Sequence, residues 1–329
     1  MAFDALTAHL PRRADLPCTD GPLAAMPSAR LGSFGDDITL AGGHRLCVRA
    51  VAKGSPDRLT LDFRDSDSSS SADGFGVGNE DLELVAVLAL CHALGERADR
   101  RWLERIELLS SPNSWVGGGA SSDPGRRAFA LARTFDAILG ALAYSWPSRV
   151  GAGSNTAGAV VELRHGADIV CEAIPGGEGA TPARRGRSSW ASPILGAVTT
   201  AGFFPWLSLT QRGRAGSGGG GARRGGDGIE RVYTLTRDVE AVFGFDRDRN
   251  PPHGIDRAGP PRPSSVLLER PGQDPERVPP WTPISVPAGA SVRVETAGGA
   301  GHGFGGYGDI EFDPADWFGS KASADPAEH

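Results

Sequence analysis

The strongest constraint on the fold is the concentration of glycine in three short segments. They lie at residues 175–180, 212–228 and 296–308, and the middle one reads RGRAGSGGGGARRGGDG. Glycine has no Cβ, so it adopts positive φ freely and lets the backbone approach a neighbour closely. The middle segment is therefore either a flexible linker or an ordered loop whose backbone approaches another chain. The other two segments each follow a strand candidate, and the same reasoning applies to them.

The ionisable side chains within these segments are the candidate functional residues. Glu178 and His302 could act as acid, base or metal ligand, or lie on the surface of their loops. Arg223 and Arg224 suit contacts with carboxylates or phosphates, and Asp227 follows them closely. We expect these five residues to be contact or substrate-loop residues. No catalytic residue and no metal ligand is assigned, because the histidines are dispersed and no nucleophile motif occurs.

Charge and composition exclude several classes of protein. The 34 basic and 40 acidic residues give a net charge of −6, which argues against a nucleic-acid scaffold. No apolar run reaches the roughly 18 to 20 residues of a membrane span, and the first residues, MAFD, do not resemble a signal peptide. The four cysteines lack the spacing of a disulfide framework or a zinc site. We expect a cytoplasmic protein that binds neither nucleic acid nor membrane.

Two nucleotide-binding motifs are also excluded. The chain has only two lysines, Lys53 and Lys321, and neither stands in a phosphate-binding loop. Gly216, Gly218 and Gly221 match a dinucleotide fingerprint in form, but the sequence after Gly221 is too rich in glycine to begin the required helix.

The first half of the chain predicts two strands and two helices. Residues 1–35 are rich in proline and are predicted to form an irregular arm, followed by an α+β region at 36–150. Alternating apolar residues predict an antiparallel strand pair at 44–52 and 58–63. Asn79 is the expected N-cap of a buried helix at 80–94. Asp123 and Pro124 begin a second helix at 124–146.

The second half is predicted to be mostly β. Strand candidates at 159–163, 169–173, 229–235, 239–245, 266–269 and 291–295 alternate with Gly and Pro turns. This β-rich region spans 151–318 and forms either a second domain or one continuous domain with 36–150. Residues 319–329 are predicted to be a mobile tail. The fold class is α+β, with two buried helices in the first half and a mostly β second half.

Two acidic stretches resemble calcium loops only in part. In the loop that starts at Asp65, Ser70 and Gly76 occupy the positions where an EF-hand requires Gly and Glu. Asp246 begins a similar pattern, but Pro251 replaces its glycine. We interpret both as polar loops.

The order of several segments resembles the hydantoinase B/5-oxoprolinase family, to which subunits of acetone and acetophenone carboxylases also belong. The similar segments are RLTLDF at 58–63, DAILGALAYSWP at 136–147, the glycine run ending RRGGDGIER at 231, PPHG at 251–254 and VETAGGAG at 294–301. The resemblance spans about 33–308 and corresponds to the C-terminal half of a usual member. It implies that the family's N-terminal half, with its His and Asp metal-binding segment, has no counterpart in this chain.

The resemblance implies a role within a larger complex. In this family an A-type subunit with an actin-like nucleotide fold phosphorylates the substrate or bicarbonate, and the B-type subunit carries out the second reaction. We expect an accessory or partial B-type subunit of an ATP-dependent carboxylase or cyclic-amide hydrolase that is not catalytic alone. Its partners would be an A-type ATPase and a full-length or N-terminal-half B-type subunit. This chain would bind no cofactor, and its partners would bind ATP and a divalent metal.

Two alternatives remain open. The chain could be the C-terminal half of a split enzyme and line a true active site together with another polypeptide. It could also be a structural or binding protein that derives from the family and has no catalytic role.

Overall fold

A computed structural model describes residues 16–69, 73–189 and 204–305 of the chain. The predicted tail at 319–329 lies outside these residues, and so do residues 1–15 of the predicted arm. Residues 16–31 contain neither helix nor strand. The first strand begins at Gly32, inside the segment that the sequence assigned to the arm.

The first half forms a sheet covered by two helices. The sheet has the order β1-β2-β3-β4, in which only the pairing of β3 with β4 is parallel. Helix α2 packs on β1 and β2, and α1 packs on α2. The strands are β1 (Gly32–Thr39), β2 (Arg45–Ser55), β3 (Arg58–Asp62) and β4 (Ile106–Leu109), and the helices are α1 (Asn79–Leu94) and α2 (Pro124–Ala143), with short 3-10 helices at Ala41–Gly43 and Arg100–Arg105.

The second half is a pair of antiparallel sheets with one shared core. One sheet has the order β12-β9-β5-β6 and the other the order β11-β10-β13-β8-β7. Buried residues of both sheets, such as Val161 and Phe243 from the first and Tyr233 and Val292 from the second, form a single apolar cluster, as in a β-sandwich. The strands are β5 (Ala159–His165), β6 (Asp168–Ile174), β7 (Leu207–Gly213), β8 (Ile229–Leu235), β9 (Val239–Phe245), β10 (Ser265–Glu269), β11 (Glu276–Arg277), β12 (Pro283–Val286) and β13 (Ser291–Glu295).

The predicted fold class is confirmed, and most predicted elements are present. The alternating residues of the first strand pair, Leu46, Val48 and Ala50 on β2 and Leu59 and Leu61 on β3, are all fully buried. Strands β1, β4, β7, β11 and β12 were not predicted. Strand β1, for example, contains two glycines and two aspartates, which are depleted in strands, so only its pairing with β2 defines it.

The helix boundaries needed two corrections. Asp123 caps α2 as predicted, because its side chain accepts hydrogen bonds from the backbone N–H groups of Gly125 and Arg126. Helix α2 ends at Ala143 rather than at residue 146. The N-cap of α1 is Gly78, not Asn79, and it makes no side-chain capping bond. Asn79 is already the first helical residue, and Gly78 before it has the extended backbone of a cap residue.

The three glycine segments are ordered and pack directly against one another. The N–H of Gly226 donates to the carbonyl of Glu178, and the N–H of Gly299 donates to the carbonyl of Gly226, each at 2.8 Å. The N–H of Gly177 donates to the carbonyl of Ala297 at 3.0 Å and closes the set of three pairs. The flexible-linker alternative is therefore wrong for the described part of the middle segment. The close backbone approach takes place within this chain.

Side chains cannot enter this packing. A Cβ on Gly299 would lie 1.9 Å from the carbonyl oxygen of Glu178, and one on Gly177 would lie 2.2 Å from that of Gly226. Both positions therefore require glycine for space. Gly220, in the middle segment, has nothing within 4 Å of an added Cβ.

We predict that Gly299→Ala destabilises the fold strongly, whereas Gly220→Ala does not. The added methyl group at 299 must displace backbone, which we expect to lower the free energy of unfolding by roughly 1 to 3 kcal/mol or more. At 220 the methyl group enters open space, and the change should stay within about 1 kcal/mol. Urea unfolding of the two variants measures this difference. Equal unfolding curves for the two variants would show that the packing of the glycine segments tolerates a Cβ at position 299 and would contradict this prediction.

Candidate functional site

Glu178 is held by two arginines next to the packed glycine segments. Its carboxylate accepts hydrogen bonds from Arg184 at 2.7 and 2.9 Å and from Arg187 Nε at 3.0 Å. Burial opposes ionisation, but the hydrogen bonds from Arg184 and Arg187 prevail and lower the pKa of Glu178 to about 2. Glu178 is therefore a fixed anion at neutral pH.

Asp227 and Arg224 stabilise the middle segment from within. Asp227 is buried and accepts hydrogen bonds from the N–H groups of Gly218 at 2.6 Å and Gly216 at 3.3 Å. Arg224 forms an ion pair with the same carboxylate. Asp227 thus stabilises the turn at 216–218 by accepting backbone hydrogen bonds, and Arg224 balances the charge of its carboxylate.

Arg223 and His302 pair through their backbones and point in different directions. Each N–H donates to the carbonyl of the other residue at 2.9 Å. The Arg223 side chain is exposed, and its Nε donates to the carbonyl of Pro182 at 3.1 Å. The His302 ring is buried, and its Nε2 lies 3.0 Å from the carbonyl oxygen of Pro147, which can only accept. Glu178 contacts Arg184 and Arg223 contacts Pro182, so both lie beside the loop at 182–187, and we call this surface the loop face. The His302 ring instead contacts the loop after α2.

A cavity of about 310 Å³ lies beside the first glycine segment. Its wall combines that segment with α1, α2 and the loop at 151–156, so both halves of the fold contribute. Of the five sequence candidates, only Glu178 lines it. The polar lining side chains are His92, Asp136, Ser154, Asn155, Thr156, Glu178, Thr181, Arg187 and Ser188.

Asn155 presents an unpaired acceptor in this wall. Its side chain is 1% exposed, and its Nδ2 contacts the carbonyl of Ala297 at 3.4 Å. No described residue donates to its Oδ1. A buried acceptor without a partner costs roughly 1 to 3 kcal/mol, and because this oxygen is itself covered, a ligand donor would reach it only after the side chain moves.

His92 and Phe135 form the opposite, less polar side of the cavity. Their ring centroids lie 5.9 Å apart. Burial lowers the pKa of His92, so its imidazole is neutral at physiological pH.

Behind the cavity lies a cluster of five buried charged side chains, which we call the ion cluster: Asp36, Arg133, Asp136, Asp246 and Arg247. Arg247 binds both oxygens of Asp36, at 2.7 and 2.9 Å, and contacts Asp136 at 2.6 Å. Arg133 lies 3.0 Å from Asp246, 3.2 Å from Asp136 and 3.5 Å from Asp36. No member is more than 2% exposed. The cluster joins β1, α2 and the segment after β9.

The ion cluster has three carboxyl groups for two guanidinium groups. Burial raises the pKa of Asp36, Asp136 and Asp246, and for Asp246 it raises the value to about 7. No described residue makes a directed hydrogen bond to either oxygen of Asp246. Because three buried carboxyl groups face two guanidinium groups, burial favours the protonated form of one of the three.

Sequence reasoning missed the ion cluster entirely. Asp246 was considered only within the calcium-like pattern. Arg133 and Asp136 were not singled out, although two opposite charges at i and i+3 within the mostly apolar stretch of α2 after Arg127 were a usable signal.

The described residues include no set of His, Cys, Asp or Glu side chains that is arranged to hold a metal ion. The divalent metal that the family resemblance implies thus has no fitting ligand set in 16–69, 73–189 and 204–305, and we derive no step through it. Within the same ranges, no helix is both long and apolar enough to cross a bilayer.

The two-layer α/β half, the sandwich and the packed glycine segments together define an α+β protein with a cavity between its halves. The family model for hydantoinase B/oxoprolinase matches residues 22–305. The chain belongs to this family.

Two solved structures share the fold. An ATP-dependent caprolactamase from Pseudomonas jessenii is similar with a TM-score of 0.67 at 16% identity, covering 92% of this chain and 55% of that one. A nucleotide-free acetone carboxylase, from a study of ATP-dependent acetone carboxylation, has a TM-score of 0.65 at 14% identity, covering 92% and 47%. This chain therefore spans about half the length of each. A search of curated proteins found no significant match.

We predict that the ion cluster makes stability fall as the pH rises. The pKa of Asp246 is about 7 in the folded chain and about 3.9 in the unfolded chain, so the folded state binds more protons between these values. This contribution is complete below about pH 4 and is lost as the pH rises through 7, by up to roughly 4 kcal/mol. Asp246→Asn should remove this loss, because an amide does not ionise.

Urea unfolding at pH 5 and pH 8 measures the effect, with the exposed Asp274→Asn as the matched control. Wild type and Asp274→Asn should both lose stability between the two pH values, and Asp246→Asn should lose less. The same loss in all three proteins would contradict a proton held by the cluster.

Proposed function

We propose that this chain is a B-type component of an ATP-dependent carboxylase or cyclic-amide hydrolase and that it acts together with partner subunits. The observation that carries the proposal is the family match over residues 22–305 together with the shared fold of two ATP-dependent enzymes. In this proposal an A-type ATPase with an actin-like fold and a full-length or N-terminal-half B-type subunit are the partners. They bind ATP and a divalent metal.

The cavity favours one form of this proposal. A purely accessory subunit has no need of a polar cavity, whereas this chain has one of about 310 Å³ with Asp136, Asn155 and Glu178 in its wall. We therefore assign the cavity to substrate and prefer the split-enzyme form, in which this chain lines an active site that another polypeptide completes. The purely accessory role and a structural or binding role are the alternatives.

The loop face around Glu178 is the proposed contact surface for a partner subunit. Arg184, Arg187 and Arg223 are exposed there, and Glu178 and Asp227 are the acidic side chains that pair with arginines in these loops. An excess of arginine suits an acidic patch on the partner, because guanidinium groups bind carboxylates in a bidentate way.

Reconstitution tests the proposal. We expect the chain to copurify with an A-type ATPase and to increase its ATP hydrolysis in the presence of caprolactam, or of acetone with bicarbonate. ATP turnover of the partners with and without this chain is the measurement. A monomer that binds no partner and leaves turnover unchanged would contradict the proposal and favour the structural or binding role.

We predict that Arg223→Ala weakens assembly about fivefold or more, because arginines at interface centres often contribute about 1 kcal/mol or more. The loss of one hydrogen bond to Pro182 should leave the free chain folded. Arg237→Ala, at an exposed position in the turn between β8 and β9, is the matched control. Titration of the partner with each variant measures the dissociation constant. Equal constants for both variants and wild type would remove the contact role of this loop face.

A further inference from the structure

The ion cluster reaches the cavity through one member. Asp136 lines the cavity, while its Oδ2 lies 2.6 Å from Arg247 and 3.2 Å from Arg133. It is the only member of the cluster among the described residues of the cavity wall. A proton that passes between the cluster and a bound molecule therefore passes through Asp136.

The balance of charged groups in the cluster favours one bound proton. Both guanidinium groups stay charged at any accessible pH. Three ionised carboxylates would leave a net charge of −1 in a site where no member is more than 2% exposed, and an unpaired buried charge is costly. One proton makes the cluster neutral. Its release leaves a negative charge that two guanidinium groups contact directly.

Asp37, Asp248 and His253 lie around the cluster. Burial raises the pKa of Asp37 as well, but none of the three lines the cavity, so none supplies a proton to a bound molecule directly. Asp37 from β1 is paired with Arg45 at 3.2 Å, and Asp248 accepts a hydrogen bond from Thr39 at 2.6 Å. His253 packs on the Phe34 ring, with 4.3 Å between centroids, and burial lowers its pKa, so that its imidazole is neutral.

The groups across the cavity do not supply one either. His92 is neutral for the same reason as His253. Glu178 is a carboxylate that Arg184 and Arg187 hold in the ionised form. Among the described carboxyl and imidazole groups of the cavity wall, Asp136 is thus the one whose pKa burial raises.

We propose that Asp136 is the general acid of the cavity and that the proton shared within the ion cluster is the one it delivers. This inference rests on the proposed function, because it takes the cavity to hold substrate. The O–H bond of the Asp136 carboxyl breaks, its electron pair stays on the carboxylate, and the proton bonds to a basic oxygen or nitrogen of the substrate. The substrate gains one positive charge, the cluster goes from 0 to −1, and solvent water returns the proton after product leaves.

Asn155 defines the substrate further. Its Oδ1 has no hydrogen-bond partner among the described residues, and its side chain is 1% exposed. A shift of the side chain on binding would let this oxygen accept a hydrogen bond from a ligand. The cavity therefore suits a small polar molecule that donates an N–H or O–H group to Asn155 and presents a basic oxygen or nitrogen to Asp136. The rings of Phe135 and His92 contact its less polar part.

The first measurement uses the isolated chain and needs no substrate. We expect the carboxyl carbons of ¹³C-labelled aspartate to show one titration near neutral pH in wild type and in Asp274→Asn. Asp136→Asn and Asp246→Asn should both lack it, because each leaves two carboxylates for two guanidinium groups. Both variants keep the charges of the cluster balanced, and circular dichroism checks that each is folded. If the neutral titration is absent from wild type or persists in Asp136→Asn, the proposal is overturned.

The second measurement uses the reconstituted complex with caprolactam, or with acetone and bicarbonate. Wild-type kcat should fall as the pH rises through neutrality. Asp136→Asn should reduce kcat by about 10²- to 10⁴-fold and remove this dependence. Asp246→Asn should shift it to lower pH, Asp136→Glu should restore part of it, and Asp274→Asn should leave it unchanged. A merely structural role would leave the pH profile in place.

The outcomes separate the two proposals. Turnover that needs this chain but keeps its wild-type pH profile in Asp136→Asn overturns the general acid alone. Turnover that is the same without this chain overturns the proposed function, and the role of Asp136 falls with it.

Discussion

Backbone-to-backbone contact among the three glycine segments is the constraint on which the rest of this structure depends. The segments are separated by tens of residues, yet each donates a hydrogen bond to another across a distance that leaves no room for a Cβ. The contact places the wall residue Glu178 against Gly226 and Gly299. It also positions Asn155, whose N–H donates to Gly177 at 3.0 Å. The shape of the cavity thus follows from glycine positions that have no chemistry of their own.

The glycine packing lies within the second half, whereas the ion cluster connects the two halves, and the energetics of the two differ in kind. The polar groups in the packed glycine segments form ordinary backbone hydrogen bonds. The cluster, in contrast, buries five charged side chains that lose their hydration on folding. Buried ion networks contribute little net stability, because desolvation offsets most of the attraction, although removing a single partner can be severely destabilising. Asp36 and Arg247 pair across 211 residues, so the cluster specifies which strand and which loop meet α2. Specificity of that contact and proton storage explain the cluster better than stability does.

The sequence predicted features that local patterns encode. Alternation identified β2 and β3, and the Asp123-Pro124 pair located the start of α2. The concentration of glycine identified the three segments and with them the candidate Glu178, which the structure places in the cavity wall. The ion cluster could not be found in this way. Asp36 lies in a strand of low propensity, Asp246 ends up beside Arg133 only through tertiary packing, and each charge taken alone looks like an ordinary surface residue.

The imbalance of the cluster is what separates a functional interpretation from a structural one. Two carboxylates would neutralise Arg133 and Arg247, and a third adds a desolvation cost without a counter-ion. Buried polar groups are almost always paired, so an exception calls for an explanation. Two such exceptions lie near one cavity. Asn155, whose Oδ1 has no partner among the described residues, lines the cavity, and the cluster with its third carboxyl group reaches the cavity through Asp136. A fold that only had to be stable would gain by removing both, and a site that binds and protonates a small molecule needs both.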